Sequence, residues 1–240
     1  MQHMNDRRPT YRRLRDEIAD QIGQNVWRPG ETISTEAELA SKYKVSVSTV
    51  RKAIDCLVDD GLIERIAGSG MFVRRPDFEH SFIRFTQCFG SAGDRRVPQS
   101  RIYKREALVG PSEVLKAMQL RKGTRLIQLF RLRIYEGVPV SHENIWLEEA
   151  RFAPLLTMKK TQPKLLYPIY EELCGEVIAC ADEVISIDKA SETDAELLGL
   201  SLGAPIVNVD RLALGYNERP IEWRRSRSSA TGFYYKVHIH

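Results

Sequence analysis

The sequence predicts two domains, a small N-terminal domain of three helices with a β-hairpin and a larger C-terminal α+β domain built on an antiparallel sheet. Three observations lead to this prediction. The chain has 240 residues, more than the roughly one to two hundred of a typical domain. Between residues 10 and 59 apolar residues recur at helical spacing. From residue 100 onward they alternate over longer runs, which is typical of strands.

The three N-terminal helices have recognisable boundaries. Apolar residues at three- and four-residue spacing predict a first helix over 11–22, and the proline and glycine of 27–30 end it. Thr35 and Glu38 have the spacing of a capping box, so a second helix begins there. Ser46 is predicted to cap a third helix with one apolar face.

A β-hairpin is predicted after the third helix, with strands at 62–66 and 71–75 and a glycine-containing tip at 67–70. This order of elements is the layout of a winged helix-turn-helix. Hydroxyl and basic side chains at a helix N-terminus suit phosphate contacts, and Arg51 can bond a guanine edge in the major groove. The alternative is a small helical bundle with a solvated polar face. The residues predicted to contact DNA are Thr35, Glu36, Ser46, Ser48, Thr49, Arg51, Lys52, Gly68, Ser69 and Gly70.

Residues 10–75 resemble the GntR superfamily of bacterial repressors, which implies a homodimer that reads a short palindrome in double-stranded DNA. Arginine is frequent in that family where this chain has Ala37 and Val47, and proline and threonine are usual where Ser34 and Met71 stand. The resemblance is carried by Trp27-Arg28-Pro29-Gly30, Ser34-Thr35-Glu36-Ala37-Glu38-Leu39-Ala40, Val45-Ser46-Val47-Ser48-Thr49-Val50-Arg51, Gly61-Leu62-Ile63 and Gly68-Ser69-Gly70-Met71-Phe72-Val73.

Proline and mixed charge at 74–77 mark a predicted boundary. We therefore expect a DNA-binding domain over 8–75, a linker over 76–81, and an effector-binding and dimerisation domain over 82–240. Strands are predicted at 100–109, 125–135, 138–147, 177–188, 205–215, 220–228 and 232–239, and helices at 112–119, 164–174 and 192–199. The last helix is predicted to be capped by Ser191 with Asp194.

An internal repeat relates the two halves of the second domain, since Gly123 and Arg131 recur as Gly203 and Arg211 in similar settings. Each copy reads as a helix followed by a β-hairpin. Two such units are expected to pair into one antiparallel sheet with helices on one side. Because few individual residues match, coincidence is the alternative explanation.

Two arginines of one predicted strand carry the most specific chemistry. Arg131 and Arg133 share a face with Leu129, so that face is largely apolar. An unpaired buried charge costs on the order of several kcal/mol, so these guanidiniums need anionic partners. A ligand phosphate or carboxylate would match the arginine forks. The internal alternatives are Glu143, Asp210 and Glu222, and the residues alone leave both explanations open.

A later strand and a helix add polar groups to this predicted site. Glu222, Arg224 and Ser226 alternate onto one face of their strand, and Tyr170 adds a hydroxyl from the preceding helix. The predicted effector-binding residues are Arg131, Arg133, Glu143, Tyr170, Glu222, Arg224 and Ser226.

Residues 81–240 resemble the HutC branch of the same superfamily, whose UTRA effector domain is similar to the chorismate lyase fold. The resemblance implies that Arg131, Arg133 and Tyr170 hold an anion while Glu143 and Glu222 face the rest of the ligand. Departures are Pro168, where relatives that sense sugar phosphates have serine, and Thr231-Gly232, where an aspartate-arginine pair is common. The motifs are Arg131-Leu132-Arg133, Glu136-Gly137-Val138-Pro139, Glu143, Pro168-Ile169-Tyr170 and Arg219-Pro220-Ile221-Glu222.

Composition sets limits but names no partner. Net charge is +4, which permits nucleic-acid binding without demonstrating it. The longest apolar runs, such as 177–181, are far shorter than the roughly twenty residues of a membrane-spanning helix, so a cytoplasmic protein is expected. The four cysteines lack zinc spacing. No metal, cofactor or catalytic residue is expected.

The predicted function is a ligand-responsive DNA-binding regulator, most simply a repressor of a metabolic operon that a small anionic effector releases. Sugar phosphates, carboxylates such as urocanate, and phosphonates all remain open as effectors. One alternative is a ligand sensor with weakened DNA binding, which the residues Ala37 and Val47 suggest. Another is a lyase-like enzyme, but the sequence has no P-loop, G-x-S-x-G or metal cluster to support it.

Overall fold

The computed structural model describes residues 9–75, 98–159, 163, 165–231 and 233. They fall into two compact units, the first containing the N-terminal helices and hairpin together with Gly215–Arg219, and the second containing the other described residues. The predicted linker at 76–81 lies outside the described residues, and so does all but residue 233 of the strand predicted at 232–239.

The first unit has the predicted order of elements. Thr35 accepts a hydrogen bond from the backbone N–H of Glu38, and Ser46 accepts one from that of Thr49, so both predicted caps are confirmed. The elements are α1 (Thr10–Gly23), α2 (Glu36–Tyr43), α3 (Val47–Asp59), β1 (Ile63–Ile66) and β2 (Gly70–Val73). A feature that the sequence did not indicate is the isolated antiparallel bridge from Thr32 to Phe72, which joins the segment before α2 to the hairpin.

The core of the first unit lies between α1 and α3. The apolar face predicted for α1 is buried through Leu14, Ile18 and Ile22. Helix α3 buries Ile54 and Leu57 in the same way, and the two helices pack together. Burial of these side chains leaves the polar faces of α2 and α3 at the surface.

The second unit is built on one antiparallel sheet of six strands. Its elements are β3 (Gln99–Val109), α4 (Ser112–Ala117), β4 (Arg125–Tyr135), β5 (Val138–Glu148), α5 (Glu149–Phe152), α6 (Pro154–Thr157), α7 (Tyr167–Cys174), β6 (Cys180–Lys189), α8 (Glu192–Leu198), β7 (Pro205–Leu214) and β8 (Pro220–Ser229). The strand order is β3-β4-β5-β8-β7-β6. The hairpins β4–β5 and β7–β8 therefore meet at the centre through β5 and β8, as the internal repeat predicted.

Helices cover both faces of this sheet, so the expectation of helices on one side was wrong. Leu126 and Trp146 pack with α4 on one face. Ile127 and Leu129 point to the opposite face, where they pack with residues of α5, α6 and α7. The reason is that neighbouring residues of β4 are apolar, and Leu126 and Ile127 are both fully buried. A sheet with two apolar faces needs a layer against each of them.

Two elements in the second unit begin three residues later than predicted. Helix α7 begins at Tyr167 instead of residue 164, with Pro168 in its first turn, where the missing backbone N–H costs nothing. Gly175 ends it in the left-handed conformation, with φ of 68°. The following strand begins at Cys180 instead of residue 177. No described helix has the length and apolar character needed to cross a membrane.

Candidate functional sites

The predicted DNA-contacting residues lie on the surface of the first unit, at the N-termini of α2 and α3 and at the hairpin. The Oγ of Ser46 caps α3 and lies 2.9 Å from the Oγ of Ser48 and 2.8 Å from the Oγ1 of Thr49. Thr35 likewise donates its hydroxyl to Glu38, at 2.9 Å. These hydroxyls are held in fixed positions by the helix caps while they remain near the surface.

Arg51 belongs to a network of charged side chains that joins α2, α3 and β1. Its Nε and Nη2 lie 3.0 and 2.9 Å from the carboxylate of Glu36. Arg65 donates to the same carboxylate at 3.3 Å and to Asp55 at 2.6 Å. Arg65 was missed by sequence reasoning, because no local spacing relates a strand residue to a carboxylate at the start of α2.

The hairpin tip is shorter than predicted. Gly70 is the first residue of β2 and pairs with Ile66, so the loop is 67–69. Gly68 and Gly70 both have positive φ, of 76° and 114°, which explains why glycine occupies them. Val47, at the first position of α3, is exposed. An arginine at this position, which the resemblance to the GntR superfamily implies is frequent, would project from the surface of this unit.

A second cluster of charged residues lies inside the second unit, on the sheet face that α5, α6 and α7 cover. Strand register creates it, since Arg131 lies directly opposite Glu143. Glu143 in turn lies opposite Ser226, and Arg224 lies opposite Arg211. Alternation along β4 and β8 adds further members on the same face. We call this the arginine cluster; its members are Arg131, Arg133, Glu143, Tyr167, Tyr170, Arg211, Glu222 and Arg224.

Ion pairs connect the arginine cluster. Arg131 donates its Nε to Glu143, and Arg224 donates its Nη2 to Glu222 at 2.8 Å. The Nη1 of Arg224 also lies 3.8 Å from Glu143. These four side chains are nearly inaccessible to solvent, so their interactions are only weakly screened.

Two tyrosines of α7 complete the cluster at Glu222. The Tyr170 hydroxyl donates to this carboxylate at 2.7 Å and that of Tyr167 donates at 3.3 Å. Arg211 donates to the Tyr167 oxygen at 3.2 Å, and its guanidinium also bonds Glu183. Glu222 is therefore held by donors from both the sheet and α7.

Burial and charge together set the protonation states in the cluster. Burial alone would raise the pKa of Glu143, but Arg131, Arg224 and Arg133 outweigh it and lower that pKa to about 2. Burial, with Arg131 next, lowers the pKa of Arg133 to about 9. Burial and the charge of Glu222 raise the pKa of the Tyr170 hydroxyl well above its usual value. At neutral pH Glu143 and Arg133 are therefore ionised and Tyr170 is neutral.

The cluster has more donors than the described residues satisfy. The Nη1 of Arg131 and the Nε of Arg224 are buried and have no hydrogen-bond partner in the described part of the chain. Arg131, Arg133 and Arg224 all lie near Glu143, and Arg211 pairs with Glu183. An anion with two oxygens matches these two donors.

The structure therefore assembles six of the seven predicted effector residues in one buried cluster. Ser226 is half-buried beside it, across from Glu143. The prediction of Asp210 as an internal partner for Arg131 and Arg133 was wrong. Asp210 points to the opposite sheet face and binds Arg225 with two contacts of 2.7 Å. Arg211 and Tyr167 were not predicted as site residues, although the internal repeat had singled out Arg211 as the counterpart of Arg131.

Comparison with known proteins identifies both domains. Residues 10–73 match the model of bacterial regulatory proteins of the gntR family, and residues 93–233 match the UTRA domain. The probable fructoselysine utilization operon transcriptional repressor of Escherichia coli (strain K12) is 26% identical over 214 residues, which cover 88% of this chain and 86% of that protein.

Two further relatives support the same assignment. The mannosyl-D-glycerate transport/metabolism system repressor of Escherichia coli (strain K12) is 27% identical, with 91% of each chain covered. The crystal structure of the ligand-binding domain of a putative GntR-family regulator from Bordetella bronchiseptica is 30% identical, with a TM-score of 0.54, and covers 59% of this chain and 89% of that one. The chain therefore belongs to the GntR family of bacterial regulatory proteins, in the HutC branch that carries a UTRA effector domain.

Proposed function

We propose that this protein is a ligand-responsive repressor of a metabolic operon and leaves its operator when a small anionic effector binds the arginine cluster. The observation that carries this proposal is the pair of buried donors, Arg131 Nη1 and Arg224 Nε, which have no hydrogen-bond partner among the described residues. Two similar proteins are repressors named for utilization or transport systems. By analogy with these two proteins, we expect the operon that this protein regulates to encode the metabolism of its effector.

DNA binding is assigned to the surface formed by the N-termini of α2 and α3 and the hairpin tip. Arg51 and Lys52 are exposed there, and the capped N-terminus of α3 offers backbone N–H groups to phosphates. The predicted domain limits of 8–75 and 82–240 separate this DNA-binding surface from the effector site. The effector would act through its different affinities for the DNA-binding and released states.

A homodimer is part of the proposal, since a palindromic operator is read by two copies related by twofold symmetry. Strand β6 is at the edge of the sheet and, within the described residues, pairs only with β7. Val184 and Ile187 on β6 are 66% and 67% exposed. An exposed apolar edge strand is a template for pairing with a second chain, so we assign dimerisation to this edge.

The effector is a small anion with polar groups beyond its charge. The guanidiniums of Arg131, Arg133 and Arg224 supply donors for a phosphate, a phosphonate or a carboxylate. Glu143 and Glu222 supply acceptors for hydroxyl or amino groups of the same molecule. Pro168 has no side-chain hydroxyl to add to an anion site, so a sugar phosphate is no better supported than a carboxylate such as urocanate.

A second candidate function is a ligand sensor with weakened DNA binding. It is favoured by Ala37 and Val47, which are exposed on the DNA-contacting surface and carry no donor. A lyase-like enzyme is not supported, since the family and its similar members are regulators.

The test is a thermal-shift panel of phosphorylated, phosphonate and carboxylate metabolites. A ligand at a hundred times its Kd adds about 2.7 kcal/mol to the stability of the protein. The same ligand should have little effect on Arg131→Ala and should release the wild-type protein from operator DNA in a gel-shift assay. A ligand that stabilises Arg131→Ala as much as the wild type would contradict the assigned site. A ligand that binds without changing DNA affinity would support the second candidate.

A further inference from the structure

Glu36 lies between two arginines of the DNA-contacting surface. Its carboxylate is 22% exposed, whereas Arg51 is 61% exposed. Arg51 approaches it from α3 and Arg65 approaches from β1. Asp55 holds the other end of Arg65, at 2.6 Å. The carboxylate at the start of α2 therefore connects three elements of this surface.

The orientation of Arg51 follows from which of its nitrogens are used. Both its Nε and its Nη2 contact one oxygen, Oε2 of Glu36, at 3.0 and 2.9 Å. That contact uses the side of the guanidinium formed by Nε and Nη2. The end formed by Nη1 and Nη2 still carries two parallel N–H groups, and this is the fork that fits N7 and O6 of guanine.

Both oxygens of Glu36 are engaged, so the carboxylate is poorly suited to read a base itself. Oε2 accepts from Arg51 and Oε1 accepts from Arg65. A direct contact to DNA would also bring a negative charge close to the phosphates, which is unfavourable. The sequence predicted that Glu36 contacts DNA; these contacts favour instead an indirect role, in which Glu36 acts through Arg51.

We propose that Glu36 is a positioning residue for DNA recognition, which holds Arg51 with its Nη1–Nη2 edge facing a guanine of the operator. This inference rests on the proposed DNA-binding function. An exposed ion pair contributes little to folding stability. The Glu36–Arg51 ion pair acts on sequence specificity instead, because an arginine that is already oriented loses less side-chain freedom when it binds the guanine. Arg65 of β1, which is itself held by Asp55 of α3, supports Glu36 from the hairpin side.

The experiment starts from an operator selected by the wild-type protein from random DNA duplexes. Each guanine of its half-site is replaced in turn, and the guanine whose replacement no longer matters in Arg51→Ala is the Arg51 contact. Discrimination is the ratio of Kd values for the replaced and the intact duplex. Glu36→Gln is compared with Glu64→Gln, a matched control that removes an exposed negative charge from β1.

Glu36→Gln should lower discrimination at this guanine about tenfold, within the range of one bidentate base contact, whereas Glu64→Gln should leave it unchanged. Both variants should bind unrelated DNA somewhat more tightly, because each removes a negative charge. In the Arg51→Ala background, Glu36→Gln should cause no further loss of discrimination at this guanine. The melting temperature, measured for every variant, should stay within about 3 °C of the wild type, as expected for a surface substitution.

Three results would overturn the inference. Unchanged discrimination in Glu36→Gln would show that Arg51 does not need its partner. A loss of equal size in the Arg51→Ala background would show that Glu36 contacts DNA itself. Failure to find any guanine that depends on Arg51 would remove the base contact on which the inference is built. If the wild-type protein selects no sequence at all, the proposed DNA-binding function fails as well, so the two failures are distinguishable.

Discussion

Arg131 and Glu143 face each other across the β4–β5 pair and form an ion pair in which each side chain is about 2% exposed. A buried pair of this kind is expensive to break, because the remaining charge has neither water nor a partner. Here the surroundings add to the cost, since Arg133 and Arg224 lie close to the same carboxylate. Glu143 therefore holds together a cluster that would otherwise consist mainly of like charges.

The first prediction concerns the stability that Glu143 provides. Glu143→Gln should lower the free energy of unfolding of the second unit by about 3–5 kcal/mol, as for a broken buried pair. Denaturant unfolding followed by the fluorescence of Trp146 and Trp223 measures it, with Trp27→Phe as the background to remove the signal of the first unit.

A matched substitution in an exposed pair is the control for Glu143→Gln. Arg125 and Glu149 form such a pair, with the arginine 57% exposed. Glu149→Gln should therefore change stability by no more than about 1 kcal/mol. Equal effects of Glu143→Gln and Glu149→Gln would show that burial of the cluster contributes nothing.

The second prediction is a loss of stability in acid. The pKa of Glu143 is about 2 in the folded protein, against an ordinary value of 4.5, so the folded state binds this proton less tightly than the unfolded state. The corresponding stability, about 3 kcal/mol, is complete above pH 4.5 and disappears as the pH falls towards 2. Unfolding measured at pH 6, 4 and 3 tests this. Glu143→Gln should flatten the dependence, and an equally steep loss in that variant would assign it to other carboxylates.

Sequence reasoning succeeded where the information is local. The alternation in β4 placed Arg131 and Arg133 on one face, and the predicted bounds of 125–135 agree with the structure. The caps at Thr35, Ser46 and Ser191 were also recognisable, because a cap and its partner lie within three residues.

Local sequence patterns could not predict which side chains of distant strands contact each other. Asp210 and Arg211 are neighbours on β7, and only the pairing of β7 with β8 decides which of them joins the arginine cluster. Ile206 and Val207 are both fully buried, so apolar alternation in β7 does not distinguish its two faces. The choice of Glu143 over Asp210 as the partner of Arg131 depends on strand register in the same way.

The third prediction concerns Asp194, which is buried and accepts hydrogen bonds from three directions. His142 Nε2 lies 2.6 Å from it, Arg227 donates to both of its oxygens, and Ser191 completes the capping box of α8. Asp194→Ala should cost about 3–5 kcal/mol, because it leaves Arg227 without its buried partner. Ser191→Ala removes only the cap and should cost about 1 kcal/mol. Similar losses in both variants, measured by denaturant unfolding, would limit the role of Asp194 to helix capping.

The fourth prediction concerns the two exposed positions on the DNA-contacting surface that lack a donor. Ala37→Arg and Val47→Arg should each strengthen DNA binding, and each added phosphate contact should steepen the slope of log Kobs against log salt by about 1. A Kd series from 50 to 300 mM salt measures both effects. Lys122→Arg, which keeps the charge of an exposed residue in the second unit, is the control. If neither substitution raises the affinity for DNA, the idea that Ala37 and Val47 weaken DNA binding is wrong.

The last prediction separates Tyr170 from an ordinary core aromatic residue. Its ring packs edge-on against Phe152 at 5.1 Å, and its hydroxyl donates to Glu222 at 2.7 Å. Tyr170→Phe keeps the ring packing but leaves one oxygen of a buried carboxylate with fewer donors, which should cost about 1–3 kcal/mol. Tyr103→Phe, at an exposed position on β3, should be neutral. Denaturant unfolding measures both variants. Equal stabilities of Tyr170→Phe and Tyr103→Phe would mean that the hydrogen bond to Glu222 contributes nothing.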